Sequence, residues 1–134
     1  MREIKFQIYW VAGHEMLYDT NNDLEFRDKE NYWITDLSDA INQPERYKVR
    51  QYTGLKDKYG TEIYDGDYIR YSMRTINGSV FTHVCRVFQH ESGTWRIEGY
   101  HEDNHSYKTK GTVYAAHLIC EVIGNIYENP ELAK

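Results

Sequence analysis

A mainly β fold follows from three features of the sequence. Apolar residues recur with a period of two along several short segments, Gly-containing turn clusters separate those segments at short intervals, and helical spacing is confined to one brief stretch. Such a chain hides its sheet edges by closing or folding over, which predicts a small, strongly bent antiparallel barrel or sandwich.

The first strand is read over residues 4–10, where Ile4, Phe6, Ile8 and Trp10 alternate with Glu3, Lys5, Gln7 and Tyr9. Gly13 breaks the alternation, and Glu15-Met16-Leu17-Tyr18 returns as a second strand before the turn cluster Asp19-Thr20-Asn21-Asn22-Asp23. Between Leu24 and Pro44 no single period holds for long. A short helix is expected near the end of that stretch: Thr35 or Asp36 caps it, Leu37, Ala40 and Ile41 share a face, and Pro44 ends it by removing an amide donor.

Tyr47-Lys48-Val49-Arg50-Gln51-Tyr52 alternates as the next strand, stopped by Gly54, and Asp57-Lys58-Tyr59-Gly60 has the residues of a tight turn. Ile63-Tyr64 leads into a second turn at Asp65-Gly66-Asp67, after which Ile69, Tyr71 and Met73 share one face of a strand. Asn77-Gly78 then suits both positive-φ positions of a type I′ hairpin leading to residues 80–88. A turn at Glu91-Ser92-Gly93 precedes a strand with Trp95 and Ile97 inward, polar residues fill 101–111, and two apolar segments, 113–120 and 121–127, close the chain.

Composition limits the function classes. The chain has 134 residues, 40% of them hydrophobic and 15% aromatic, which is far too much rigid apolar area for a disordered protein. No stretch approaches the roughly 18 to 20 consecutive apolar residues of a membrane helix, since His117 interrupts the longest candidate. Residues 1–6 carry charge but have no unbroken apolar segment behind them and no small-residue cleavage site, so no secretory signal is read and the cytoplasm is the expected location. A reducing cytosol makes Cys85 and Cys120 small buried hydrophobes rather than a disulfide pair. Charge is uneven: the net of −5 lies entirely in residues 1–67, and residues 68–134 balance to zero.

One motif tempts a chemical reading. His101-Glu102-Asp103-Asn104-His105 matches H-E-x-x-H, in which two His one helical turn apart hold zinc and the Glu polarises its water. That chemistry requires a helix, whereas Gly99, Asp103, Asn104 and Ser106 favour a polar hairpin loop. His83 with Cys85, His117 with Cys120, and His90 are further potential zinc ligands, though isolated His on strands are more often partly buried with one satisfied nitrogen. Asp65 and Asp67 bracket Gly66 and are read as turn residues before a catalytic carboxylate pair. There is no Gly-rich phosphate loop and no G-x-S-x-G elbow, so neither a cofactor nor an enzymatic activity is expected.

The string Arg50-Gln51-Tyr52-Thr53-Gly54-Leu55-Lys56-Asp57-Lys58-Tyr59-Gly60-Thr61-Glu62-Ile63-Tyr64-Asp65-Gly66-Asp67 closely resembles the hallmark of the YopX family, small proteins of bacterial phages and prophages. Glu121-Val122-Ile123-Gly124-Asn125-Ile126-Tyr127-Glu128-Asn129-Pro130-Glu131-Leu132 is similar to the family's ending, and residues 1–6 to its beginning. Gln7 to Trp10 depart from the family, which more often shows a basic residue, a small residue, Trp and an acid there. The resemblance implies an SH3-like β-barrel over residues 47–134, preceded over residues 1–46 by a smaller β-rich (α+β) part with a short helix, and self-association in some members. It carries no catalytic residues.

Two non-enzymatic functions follow. An adaptor would hold a phage or host protein, or a second copy of itself, through exposed strand edges and a Tyr-rich surface. A nucleic-acid-binding barrel would instead use Tyr47, Lys48, Arg50, Tyr52, Lys56 and Lys58, which interleave basic and aromatic side chains. Net charge disfavours the second, because phosphate binding needs a concentrated basic surface.

Overall fold

The computed structural model describes residues 5–17, 26–27, 33–34 and 37–133. The chain divides into two compact units, Met1–Tyr52 and Thr53–Lys134. Both are built mainly from antiparallel strands. Among the described residues no helix is long and apolar enough to cross a membrane.

The first unit contains β1 (Phe6–Trp10), β2 (Glu15–Leu17), β3 (Phe26–Arg27), β4 (Trp33–Ile34), α1 (Leu37–Ile41) and the start of β5 (Tyr47–Lys56). Strand β1 is central, paired with β2 through Tyr9↔Met16 and with β5 through Ile8↔Val49, while β3 and β4 form a separate two-stranded ribbon. Ile8, Trp10, Leu17, Ala40 and Tyr47 make its core. The expected alternation along β1 is only half of what is observed, because Gln7 and Tyr9 are buried as well. Their polar groups are absorbed locally: the Arg50 guanidinium donates to Gln7 Oε1 from Nε at 3.0 Å and from Nη2 at 2.6 Å. Helix α1 ends before Pro44 as expected, while Ile4, Tyr18, the 19–23 turn and the caps Thr35 and Asp36 lie outside the described residues.

The second unit contains the end of β5, then β6 (Glu62–Tyr64), β7 (Asp67–Arg74), β8 (Val80–Gln89), β9 (Trp95–His101), β10 (Lys108–Thr112), α2 (Val113–Ala116) and β11 (Glu121–Asn125). Five of these strands form one sheet in the order β10-β9-β8-β7-β11, curled into a half-barrel. Its inner face buries Ile69, Tyr71, Cys85, Val87, Trp95 and Ile97 against Ile63, Val113, Ala116 and Cys120. Thr112 caps α2 by accepting the Ala115 amide at 3.2 Å, so the apolar run after residue 112 becomes one helical turn and then β11. Two expectations are corrected here. Strand β5 runs through Gly54, whose φ of 88° bends the strand without stopping it. Met73 shares the face of Ile69 and Tyr71 yet is 53% exposed, because the β7–β8 hairpin outruns the core.

The Asn77-Gly78 turn also differs from expectation. Only Gly78 has positive φ, and the loop is five residues long, with the Thr75 amide donating to Ser79 O at 2.8 Å and the Gly78 amide to Thr75 O at 3.0 Å. This is a type I turn followed by a glycine bulge, which suits a longer connection than a two-residue type I′ turn does. The same pair of bonds recurs from Asp57 to Thr61 and from His90 to Thr94, with Gly60 and Gly93 at φ 85° and 92°. One turn chemistry, a Gly followed by Ser or Thr, therefore sets the register of three hairpins.

Asp57 does more than brace its own turn. Its Oδ1 accepts the amides of Tyr59 at 2.8 Å and Thr61 at 2.9 Å, and its Oδ2 accepts the Val122 amide of β11 at 2.9 Å. Asp67 plays a smaller version of the part, accepting the Tyr64 amide at 2.7 Å from a position 1% exposed. Gly99 solves a different problem, close approach: a Cβ there would overlap the Val84 carbonyl oxygen and lie 2.6 Å from Cys85 Cα.

Two stability predictions follow from these contacts. Asp57→Ala removes three charge-assisted bonds and strands a β11 amide, so urea unfolding should show a loss of about 3 kcal/mol or more, with Asp57→Asn intermediate. Gly99→Ala must push backbone atoms apart and should cost about 2 kcal/mol or more, whereas Gly111→Ala, whose new methyl would meet Ile97 at an ordinary 3.5 Å, should shift the unfolding midpoint little.

Candidate functional site

The basic and aromatic segment nominated for nucleic acid is split by burial. Tyr47 is 1% exposed in the core of the first unit, Tyr52 is buried and packs under Lys5, and Arg50 is buried on Gln7. Lys48, Lys56 and Lys58 are exposed. Alternation explains the outcome: β5 buries side chains on both faces, Tyr47 on one and Arg50 and Tyr52 on the other. Tyr47, Arg50 and Tyr52 are therefore taken into the fold, and of the six residues only the three lysines are exposed.

The H-E-x-x-H string is a hairpin connection, as its composition predicts. His101 ends β9, residues 102–107 form the loop, and β10 begins at Lys108. The His101 ring faces His83, Phe81 and Tyr107, while His105 packs against Tyr100, the neighbour of His101 that points to the other face of the strand. Glu102 pairs with Arg70 at 2.9 Å. No three His, Cys, Asp or Glu side chains converge on one point among the described residues.

The remaining candidates are also dispersed. Cys85 and Cys120 are buried free thiols in the half-barrel core, and burial pushes each up to about 12, leaving both protonated and poorly nucleophilic. His117 lies on the surface with Nδ1 3.2 Å from Lys56 O, and His90 with Nδ1 2.9 Å from Ser92 Oγ in its own turn. Asp65 and Asp67 flank the turn at Gly66, where the Asp67 carboxylate is taken up by the Tyr64 amide.

What the fold does assemble is a ladder of rings at one end of the inner face. Tyr71 stacks on His83 at 4.8 Å, His83 meets His101 edge-on at 4.6 Å, and His101 continues to Phe81 and Tyr107. His83 Nδ1 also lies 2.9 Å from Thr109 Oγ1. Beyond the ladder the β7–β8 hairpin projects with Met73, Ile76, Val80 and Phe81 all exposed, Ile76 completely so. The sequence carried a signal for this surface: an Ile directly before Asn77-Gly78 puts a large apolar side chain at a hairpin tip, where nothing in a small sheet can cover it.

Partial burial, and then the neighbouring His101, hold His83 below the usual imidazole range. A base depressed in the folded state is neutral there but protonates on unfolding, so the unfolded chain takes up more protons as pH falls through the ordinary His range. Urea midpoints should therefore fall between about pH 7 and 5, and His83→Gln should flatten that part of the profile.

The comparisons with known proteins agree with the turn string and the C-terminal ending. The family described as YopX protein matches residues 5–134. A solved structure described as the crystal structure of protein EF1440 from Enterococcus faecalis is similar, with 25% sequence identity over 100% of each chain and a TM-score of 0.57. No curated protein matches the chain. With its matched segment running from the first described residue to the C-terminus, the chain belongs to the YopX family.

Proposed function

We propose that this protein is a non-enzymatic phage or prophage accessory module that works in the host cytoplasm by binding protein, either a partner or a second copy of itself. The half-barrel, with a single helical turn before its last strand, supports an SH3-like description of the second unit. The observation that carries the functional reading is the β7–β8 hairpin. Met73 and Val80 are 53% and 51% exposed, and Ile76 sits bare at the tip.

Two further properties make the hairpin a docking element. Strand β11 pairs with β7 only up to Arg70, and β9 pairs with β8 only from His83 onward, so among the described residues the hairpin end has no neighbouring strand on either side. Unpaired edges beside apolar side chains accept an added strand or an apolar surface. Isolated two-stranded hairpins are marginally stable in water, so keeping four large apolar groups on one is costly unless something covers them.

The test is the double substitution Ile76→Asp with Val80→Thr, both at exposed positions. Wild-type protein should show either a molar mass that is a multiple of 16.0 kDa or a stoichiometric protein partner retained through nuclease treatment. The variant should lose that association with an unchanged melting temperature. A monomeric wild type that retains no protein, or a variant that keeps the association, refutes the proposal.

A further inference from the structure

We propose that the outer face of β8, β9 and β10 is a groove for single-stranded nucleic acid, a site separate from the apolar hairpin and formed by residues other than those the sequence nominates. Strand register builds it. Lys110, Glu98 and Arg86 stand opposite one another in one row, with Thr112, Arg96 and Phe88 in the next, all on the face turned away from the core. Lys108 follows Lys110 on the same face, one two-residue step or about 7 Å along the strand.

The surface over these rows is concave. Two hollows of about 380 and 590 Å³ adjoin at Glu98 and Lys110, which line both, and together they make up the trough. At one end the trough stops against Leu132, whose carbonyl accepts the Tyr100 hydroxyl at 2.9 Å. At the other it opens past Phe88 and Thr94.

Charge identifies the ligand class. Among the described residues Arg86, Arg96, Lys108 and Lys110 line the trough against one carboxylate, Glu98, which lies 3.7 Å from Arg86. Among the described residues Arg96, Lys108 and Lys110 have no ion-pair partner. In a chain of net charge −5, three unneutralised cations in one groove form a local anion field. Lysines on the edge strand β10 also discourage unwanted strand pairing, but Arg86 and Arg96 sit on interior strands, where that role does not apply.

The aromatic ring selects among anions. Phe88 is partly exposed in the trough, between Arg96 and the Arg86 guanidinium, which lies 5.8 Å from the ring centroid. An unstacked base has a π-face to lay on such a ring while its flanking phosphates meet the cations, and every base has one. A duplex keeps its bases stacked, and an acidic peptide has carboxylates but no base. Phe88 therefore points to a single strand.

Fluorescence anisotropy with a labelled oligothymidylate tests this on the full chain. Binding is expected at about 50 mM salt and should weaken steeply toward about 200 mM, with log K falling by about 0.7 per log unit of salt for each phosphate contact. Lys108→Gln with Lys110→Gln should lower that slope by about 1.4. Phe88→Leu should weaken binding about tenfold and leave the slope unchanged. A control carrying Lys48→Gln, Lys56→Gln and Lys58→Gln should match wild type. No binding at low salt overturns the proposal, as does an equal loss in the control. So does tighter binding of polyglutamate, or indifference to Phe88→Leu, either of which would make the groove a receptor for acidic protein instead.

Discussion

The carboxylate of Asp57 holds together parts of the second unit that the chain itself separates widely. It lies in the turn between β5 and β6, yet one of its three amide donors belongs to β11, a strand 65 residues away. β11 in turn pairs with β7, and β7 begins the β7-β8-β9-β10 meander. A local turn is thereby fastened to the last strand, and the sheet is held in its curl. Such an arrangement places unusual weight on one side chain, because a charged acceptor shared by three backbone amides has no substitute of the same shape and valence.

Around that anchor the fold economises on turn chemistry. Three loops use the same type I turn with a glycine bulge, and each ends in Ser or Thr. Register is then decided locally, at the turns, and the core needs only to be apolar and of the right size. The conspicuous string from Arg50 to Asp67 belongs to this machinery. Its glycines and aspartates specify how β5, β6 and β7 connect, and Tyr52 and Ile63 are buried beneath them. A segment that marks a family so clearly carries, in its turns and buried side chains, a set of folding instructions.

Strand positions and turns were legible because period-two alternation and Gly, Asn and Asp clusters have direct backbone causes. The type I′ assignment at Asn77-Gly78 failed since loop length, invisible in a dipeptide, chose the turn type. The burial of half the nominated residues was hidden for a related reason. Tyr47, Arg50 and Tyr52 look amphipathic in sequence, but β5 buries side chains on both of its faces, and no local pattern reports which faces of a strand will be covered. The outer face of β8 to β10 escaped notice for the opposite reason: Arg86, Arg96, Lys108 and Lys110 are scattered over 25 positions and become neighbours only through strand register.

The two thiols have a use that follows from their placement. Cys85 is in the middle of β8 and Cys120 sits immediately before β11, each at or below 1% exposure and each held in the unreactive protonated form. A thiol reagent can reach them only when the surrounding structure opens, so the labelling rate of each reports the free energy of the opening that frees it. The protein thus carries two native chemical clocks, one in the centre of the sheet and one at its closing strand. Their relative pace would reveal whether the half-barrel comes apart as one cooperative body or peels from its final strand.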